Sequence, residues 1–120
     1  MSGVVQEVRR IRREIHGAGP VEPLLDLPDV TDVLVNGASE VWVDGPAGLC
    51  RVDSPFRDDD HVRATAVRLA AACGRRLDDA SPYSDGFYRR DAAGGSVRVH
   101  AVLPPVVEHP CLSLRVLGTA

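Results

Sequence analysis

Every cation in this 120-residue chain is an arginine: there are 14 Lys and Arg residues together, and none is Lys. Lysine chemistry is therefore absent from it. There can be no Schiff base, no lysine general base and no lysine to complete a phosphate loop. Arginine offers instead a planar fork of donors that suits carboxylates and phosphates. Arg98 and Arg115 stand out because each interrupts an apolar strand-like run, VRVHAVL and LSLRV. A charged group in such a run either faces solvent or meets an anion. The other chemistry-bearing residues are dispersed. His16, His61, His100 and His109 show no HxH or HExxH spacing, and neither GxSxG nor GxxxxGK[ST] occurs. The run Asp58–Asp60 reads as helix capping rather than a metal site. Asp78, Asp79 and Asp85 read as turn caps or solvated carboxylates. Gly94-Gly95-Ser96 lies between strands instead of before a helix, so it lacks anion-binding geometry. Cys50, Cys73 and Cys111 form no CxxC, and they are expected as small buried apolar side chains.

Composition bounds what these residues can belong to. Hydrophobic residues are 44% and charged residues 26%, as in one ordinary globular domain. The net charge of -3 argues against a nucleic-acid surface. No apolar run reaches the ~18 residues of a membrane span, and no apolar stretch follows the early arginines to make a signal peptide. A soluble cytoplasmic protein is the expectation.

The elements that would position the arginines follow from periodicity and punctuation. Val4, Val8, Ile11 and Ile15 predict an amphipathic helix over 4–16, with Arg9, Arg10, Arg12 and Arg13 on its other face. Pro20, Pro23 and Pro28 leave room for one helical turn at Glu22–Leu27. Val33–Val35, Val41–Val43 and Leu49–Asp53 predict a meander of three antiparallel strands, with turns at Asn36–Ser39 and Asp44–Gly48. Asp58–Gly74 predicts a second helix whose buried stripe is Val62, Ala66, Leu69 and Cys73. Leu77–Tyr83 reads as a connector and Phe87–Arg89 as a strand. A glycine-rich loop follows at Asp91–Gly95, then strands at Val97–Leu103 and Cys111–Val116. Trp42 is expected to pack against one of the two helices. The fold class is α+β, a mainly antiparallel sheet packed with two helices.

The order of several segments resembles a known family. IRREIHGAGPVEPLLDLPDVTDVLVNGASEVWV (Ile11–Val43) resembles the amino-terminal domain of type II/IV secretion-system ATPases, with the tight-adherence (Flp-type) pilus assembly ATPases as the nearest branch. Gly74-Arg75-Arg76-Leu77-Asp78 followed by Ser81-Pro82 is similar to a G-R-x-x-D-x-x-x-P stretch of that family. Arg98–Pro105 resembles R-V-N/H-A-V-x-P-P, and Leu112-Ser113-Leu114-Arg115 resembles L-T/S-I-R. The resemblance spans roughly residues 5–116.

It implies a helix over 1–18 followed by a PAS-like α+β domain over 19–117, with the RecA-like ATPase core missing from this chain. Full-length members are cytoplasmic hexameric rings at the inner-membrane secretion platform that use ATP and magnesium. Their amino-terminal domain packs between protomers and supplies arginines to the nucleotide. By position in this sequence, Arg98 and Arg115 would be such residues, with Arg89 and Arg90 as further candidates. This chain alone would not be an enzyme, since it has no Walker A or Walker B element. It departs from the pattern where the family has an arginine two residues after Asp85, here Phe87. It departs again after Arg115, where Val116 replaces a second basic residue. Two other readings are a stand-alone, non-enzymatic regulator or docking module of a secretion machine, and an unrelated PAS-like ligand sensor. Few aromatics, 4%, disfavour the last.

Overall fold

The computed structural model describes residues 18–90 and 95–117. The helix expected over 4–16, and all but Gly95 of the loop Asp91–Gly95, lie outside those residues. The described chain opens with a 3-10 turn (Gly19–Val21) and a short helix α1 (Glu22–Leu25), each with a proline in its first turn. Then come β1 (Asp32–Asn36), β2 (Val41–Asp44), β3 (Cys50–Val52), α2 (Asp59–Ala72), β4 (Tyr83–Arg89), β5 (Ser96–Val102) and β6 (Cys111–Val116). The strands form one sheet in the order β3-β2-β1-β6-β5-β4. Every neighbouring pair is antiparallel. The β1–β6 pairing joins an amino-terminal and a carboxy-terminal meander, which places Arg115 beside a strand 83 residues earlier in the chain.

Alternation sorts the strand residues onto two faces. Val33, Val35, Val41, Val43, Val97, Val99, Ala101, Leu112 and Leu114 are buried, in one cluster with Val62, Ala66, Leu69 and Ala70 of α2. Each buried Val or Leu among them stabilises the fold by about 1.5–3 kcal/mol through removal from water, and each Ala by less. Helix α2 lies over the β4, β5 and β6 half of the sheet. Its ends are well closed. Asp58 accepts from the backbone N–H of His61 at 2.8 Å as the N-cap. At the other end Gly74 takes φ +73, and the N–H groups of Gly74 and Arg75 bond Ala71 and Ala70 at 2.9 and 2.8 Å.

The expected strands and second helix are present, with four differences. Strand β4 begins at Tyr83 rather than Phe87. Ser84, Asp85 and Gly86 have poor strand propensity, but pairing with β5 overrides it. Gly86 also fits there for a packing reason: a Cβ at this position would lie 2.9 Å from Cβ of Cys73. Second, the buried stripe of α2 is Val62, Thr65, Ala66, Leu69 and Ala70, with Cys73 only half-buried. Thr65 is tolerated inside because its hydroxyl donates to the His61 carbonyl at 2.9 Å. Third, Cys50 is exposed on the short edge strand β3, and Cys111 is half-buried. Fourth, Trp42 lies on the face opposite α2, so of its two expected partners α2 is ruled out, while the helix over 4–16 lies outside the described residues. Val41 and Val43 take the core side, so the residue between them must point away. There the Arg51 guanidinium sits over the indole, 5.9 Å from its centre.

Candidate functional site

The sheet face opposite α2 carries the polar chemistry. Arg98 on β5 and Arg115 on β6 are direct cross-strand partners, and Asp32 on β1 is the next partner beyond Arg115. Two like charges directly opposite on a sheet repel. Each is held by a carboxylate on its outer flank. Arg98 donates from Nε and Nη2 to Asp85 at 3.2 and 2.9 Å. Arg115 donates from Nε to Asp32 at 3.0 Å. Across the face the charges therefore run carboxylate, arginine, arginine, carboxylate. The Asp85 carboxyl sits below its ordinary range, chiefly because Arg98 bonds its charged form, and Arg98 is raised in return.

Between the arginines lies a shallow depression of about 250 Å³ lined by Asp32, Arg98, His100, Ser113 and Arg115. His100 and Ser113 are cross-strand partners one row along. The His100 ring meets Tyr83 edge to face at 4.8 Å. The two anchoring carboxylates differ in setting. The Asp32 side chain is only 14% exposed, with its second oxygen accepting from the Thr31 hydroxyl at 2.9 Å. The Asp85 side chain is 34% exposed. Both arginines remain open to solvent, at 53% for Arg98 and 66% for Arg115. Arg98 uses two of its five N–H groups on Asp85 and Arg115 uses one on Asp32, so both keep donors for another acceptor.

Of the four sequence-derived arginines, three share this face. Arg89 is exposed and stands two residues along β4 from Phe87, the direct partner of Arg98, so it is a diagonal neighbour of Arg98. Arg90 belongs elsewhere. Its guanidinium bonds Glu22 through Nε at 2.9 Å and also through Nη2, and Nη2 reaches Asp26 at 2.6 Å. Burial disfavours its charge, but the bonds to Asp26 and Glu22 outweigh that and its pKa is raised. Glu22 also accepts from the Ala18 N–H at 2.9 Å, so Arg90 fastens α1 to the end of β4. Phe87, where the resemblance expects an arginine, is 64% exposed on the same face as Arg98.

Sequence reasoning missed the carboxylate partners. Local pattern alone reads Asp85 as a cap or solvated group and gives Asp32 no role. Asp85 could have been found, because i and i+2 alternation puts it on the Arg98 face of an adjacent hairpin strand. Asp32 could not, because nothing local tells that β1 and β6 are neighbours.

A second polar cluster ties loops to α2. Asp59 accepts from the Ala38 N–H at 2.8 Å and contacts Nδ1 of His109 at 2.8 Å. The Asp59 carboxyl is lowered, first by the Ala38 bond and then by His109. His109 is raised, first by its bond to Asp59. The Asp run thus caps α2 as expected and also anchors the β1–β2 turn. Asp78 behaves as the expected turn cap, accepting from Ala80 and Ser81 at 3.0 and 2.8 Å.

No family model matches the chain. Two Mycobacterium tuberculosis proteins named "Putative conjugal transfer protein", from the CDC 1551 and H37Rv strains, are each 50% identical to it over 119 residues. That match takes in 98% of this chain, which spans 34% of the length of those relatives. Among solved structures, the VirB11 ATPase of the Brucella suis type IV secretion system, in complex with sulphate, superposes with a TM-score of 0.70 at 24% identity. The superposition covers 84% of this chain and 30% of the ATPase chain. The six-stranded antiparallel sheet with its packed helix is accordingly the fold of a domain-sized part of that ATPase.

Proposed function

We propose that this chain is the amino-terminal domain of a secretion- or conjugation-type ATPase, and that its sheet face contributes Arg98 and Arg115 to an ATP cleft. The observation that carries the reading is the opposed arginine pair on the face away from α2, in a chain whose fold is that of part of a VirB11 ATPase. The 50% identity to mycobacterial proteins named for conjugal transfer, of whose length this chain spans about a third, supports the same class. Within it, the segments around Ile11–Val43 favour the tight-adherence pilus branch.

In this reading the domain packs between protomers of a hexameric ring at the cytoplasmic side of the inner membrane. No helix among the described residues is long and apolar enough to cross a membrane. The domain does not hydrolyse ATP alone. The cationic face fits the phosphate end of a nucleotide, whereas magnesium and a phosphate-loop lysine would come from the core, since this chain contains no Lys. Magnesium and the core supply the phosphoryl-transfer chemistry when ATP is bound. The two guanidiniums bind and orient the terminal phosphate and offset charge that grows on it.

The test is a chimera in which this chain replaces the matched segment of a mycobacterial relative. It should turn over ATP, and Arg115→Ala should lower turnover more than nucleotide binding, because the contact strengthens as charge develops. Phe87→Arg should raise turnover by adding a cation beside Arg98. Unchanged turnover in Arg98→Ala and Arg115→Ala would remove the nucleotide role and leave a packing domain.

A further inference from the structure

The two carboxylates flanking the arginine pair do more than neutralise it. Building on the nucleotide reading, we propose that Asp32 and Asp85 act as guards of the phosphate site: they hold Arg115 and Arg98 apart, and a dianionic phosphoryl group must compete with them for the guanidiniums.

The arrangement has a physical logic. Arg98 and Arg115 are directly opposite on adjacent strands, so with no anion present they repel. The carboxylates lie on the outer flanks, on β4 and β1, and not between the arginines. Each bonds its guanidinium from the outer side, and both arginines line the shallow depression together with His100, Ser113 and the Asp32 guard. The four side chains sum to no net charge, so an approaching monoanion gains little from the site. A phosphate dianion can bond both forks at once, which neither carboxylate can do alone. The pairs are also poised to yield. Both arginines are more than half exposed, and ion pairs at that exposure are weak and screened by salt. Asp32 is the stiffer guard, because the Thr31 hydroxyl fixes its second oxygen. Asp85 is the softer one. Its side chain is 34% exposed, against 14% for Asp32.

This gives the guards a sign opposite to that of a carboxylate which only orients an arginine. Removing an orienting partner weakens anion binding, whereas removing a guard strengthens it. The experiment titrates the 120-residue chain with inorganic pyrophosphate by calorimetry, comparing wild type with Asp85→Asn, Asp32→Asn and the double variant. Asparagine keeps an acceptor for Nε and removes the charge. Each single change should tighten binding by roughly tenfold at low salt, the effect of one unit charge on a dianion about 6 Å away in water. The gain should fade above about 0.3 M salt as screening shortens. Chloride or acetate as competitor should show no such gain. Arg98→Gln and Arg115→Gln should abolish binding in every background.

Equal or weaker binding in Asp85→Asn, with thermal melting unchanged, overturns the guard role. The nucleotide reading survives that result if wild-type binding still depends on Arg98 and Arg115. Absence of binding in all variants, the double included, overturns both. Asp85→Asn decides the matter even if Asp32→Asn loosens the fold, because Asp85 lies on the open face of the edge strand.

Discussion

Replacing Arg90 by Met separates a structural arginine from those of the open face. The Arg90 side chain is 11% exposed, and its main partner Glu22 is 15% exposed. Methionine preserves most of the buried stem but leaves the Glu22 carboxylate without its cation. Breaking a buried pair from one side costs about 3–5 kcal/mol. Two features place Arg90→Met at the low end. Glu22 keeps the Ala18 N–H at 2.9 Å, and Asp26, at 49% exposure, returns to water at little cost. The expected loss is about 3 kcal/mol. With a urea slope of roughly 1.5–2 kcal/mol per molar, the unfolding midpoint should fall by about 1.5–2 M. The double variant Glu22→Gln/Arg90→Met should recover part of that loss, because no uncompensated charge is left behind. Pyrophosphate binding should not change, since Arg90 is tied to α1 and not to the depression. A midpoint shift below about 0.3 M, or loss of anion binding in folded Arg90→Met, would refute this assignment.

Other perturbations test the core, the open face and the loop anchor. Leu114→Ala, at a fully buried residue paired with Val33 and Val99, should cost about 3–5 kcal/mol in chemical denaturation. Trp42→Ala should cost only about 2 kcal/mol, because the indole is half-buried on the other face, and its fluorescence should respond to Arg51→Ala. The His109–Asp59 contact should give a pH signature. A raised histidine pKa stabilises the fold below its unfolded value of about 6.5 and loses that effect as pH rises through the folded value. The lowered Asp59 stabilises above about 4 and loses its effect as pH falls through its folded value. His109→Ala should therefore lower the melting temperature more at pH 5.5 than at pH 8.5, and an equal drop at both would show that the contact does not titrate with folding.

The sequence made some of this legible and hid the rest for identifiable reasons. Local signals carried the elements. Asp58 before an apolar stripe and Gly74 after it bracket α2 within one residue at its start and two at its end, because capping is a property of neighbouring residues. Alternation in VRVHAV and LSLRV located β5 and β6 and put Arg98 and Arg115 opposite the apolar face. Where tertiary pairing overrides propensity, local reading falls short: it finds only Phe87–Arg89 of β4, because Ser84, Asp85 and Gly86 are poor strand formers. Trp42 is decided by parity: Val41 and Val43 on either side take the face toward α2, which leaves it the other one.

The candidate site marks the boundary of what one-dimensional pattern can reveal. Which face an arginine occupies follows from parity, and parity is written in the sequence. Which arginine it stands beside depends on strand order. Residues 98 and 115 meet because β5 and β6, successive in the chain, are neighbours in the sheet. Asp32 reaches Arg115 only because the two meanders join at β1 and β6, a contact across 83 residues. That same join completes the flanking pair of carboxylates. A chain with identical strands in another order would keep the arginines on one face and lose one guard. The balance of charge around the depression is thus a property of topology, whereas the presence of the cations is a property of the sequence pattern.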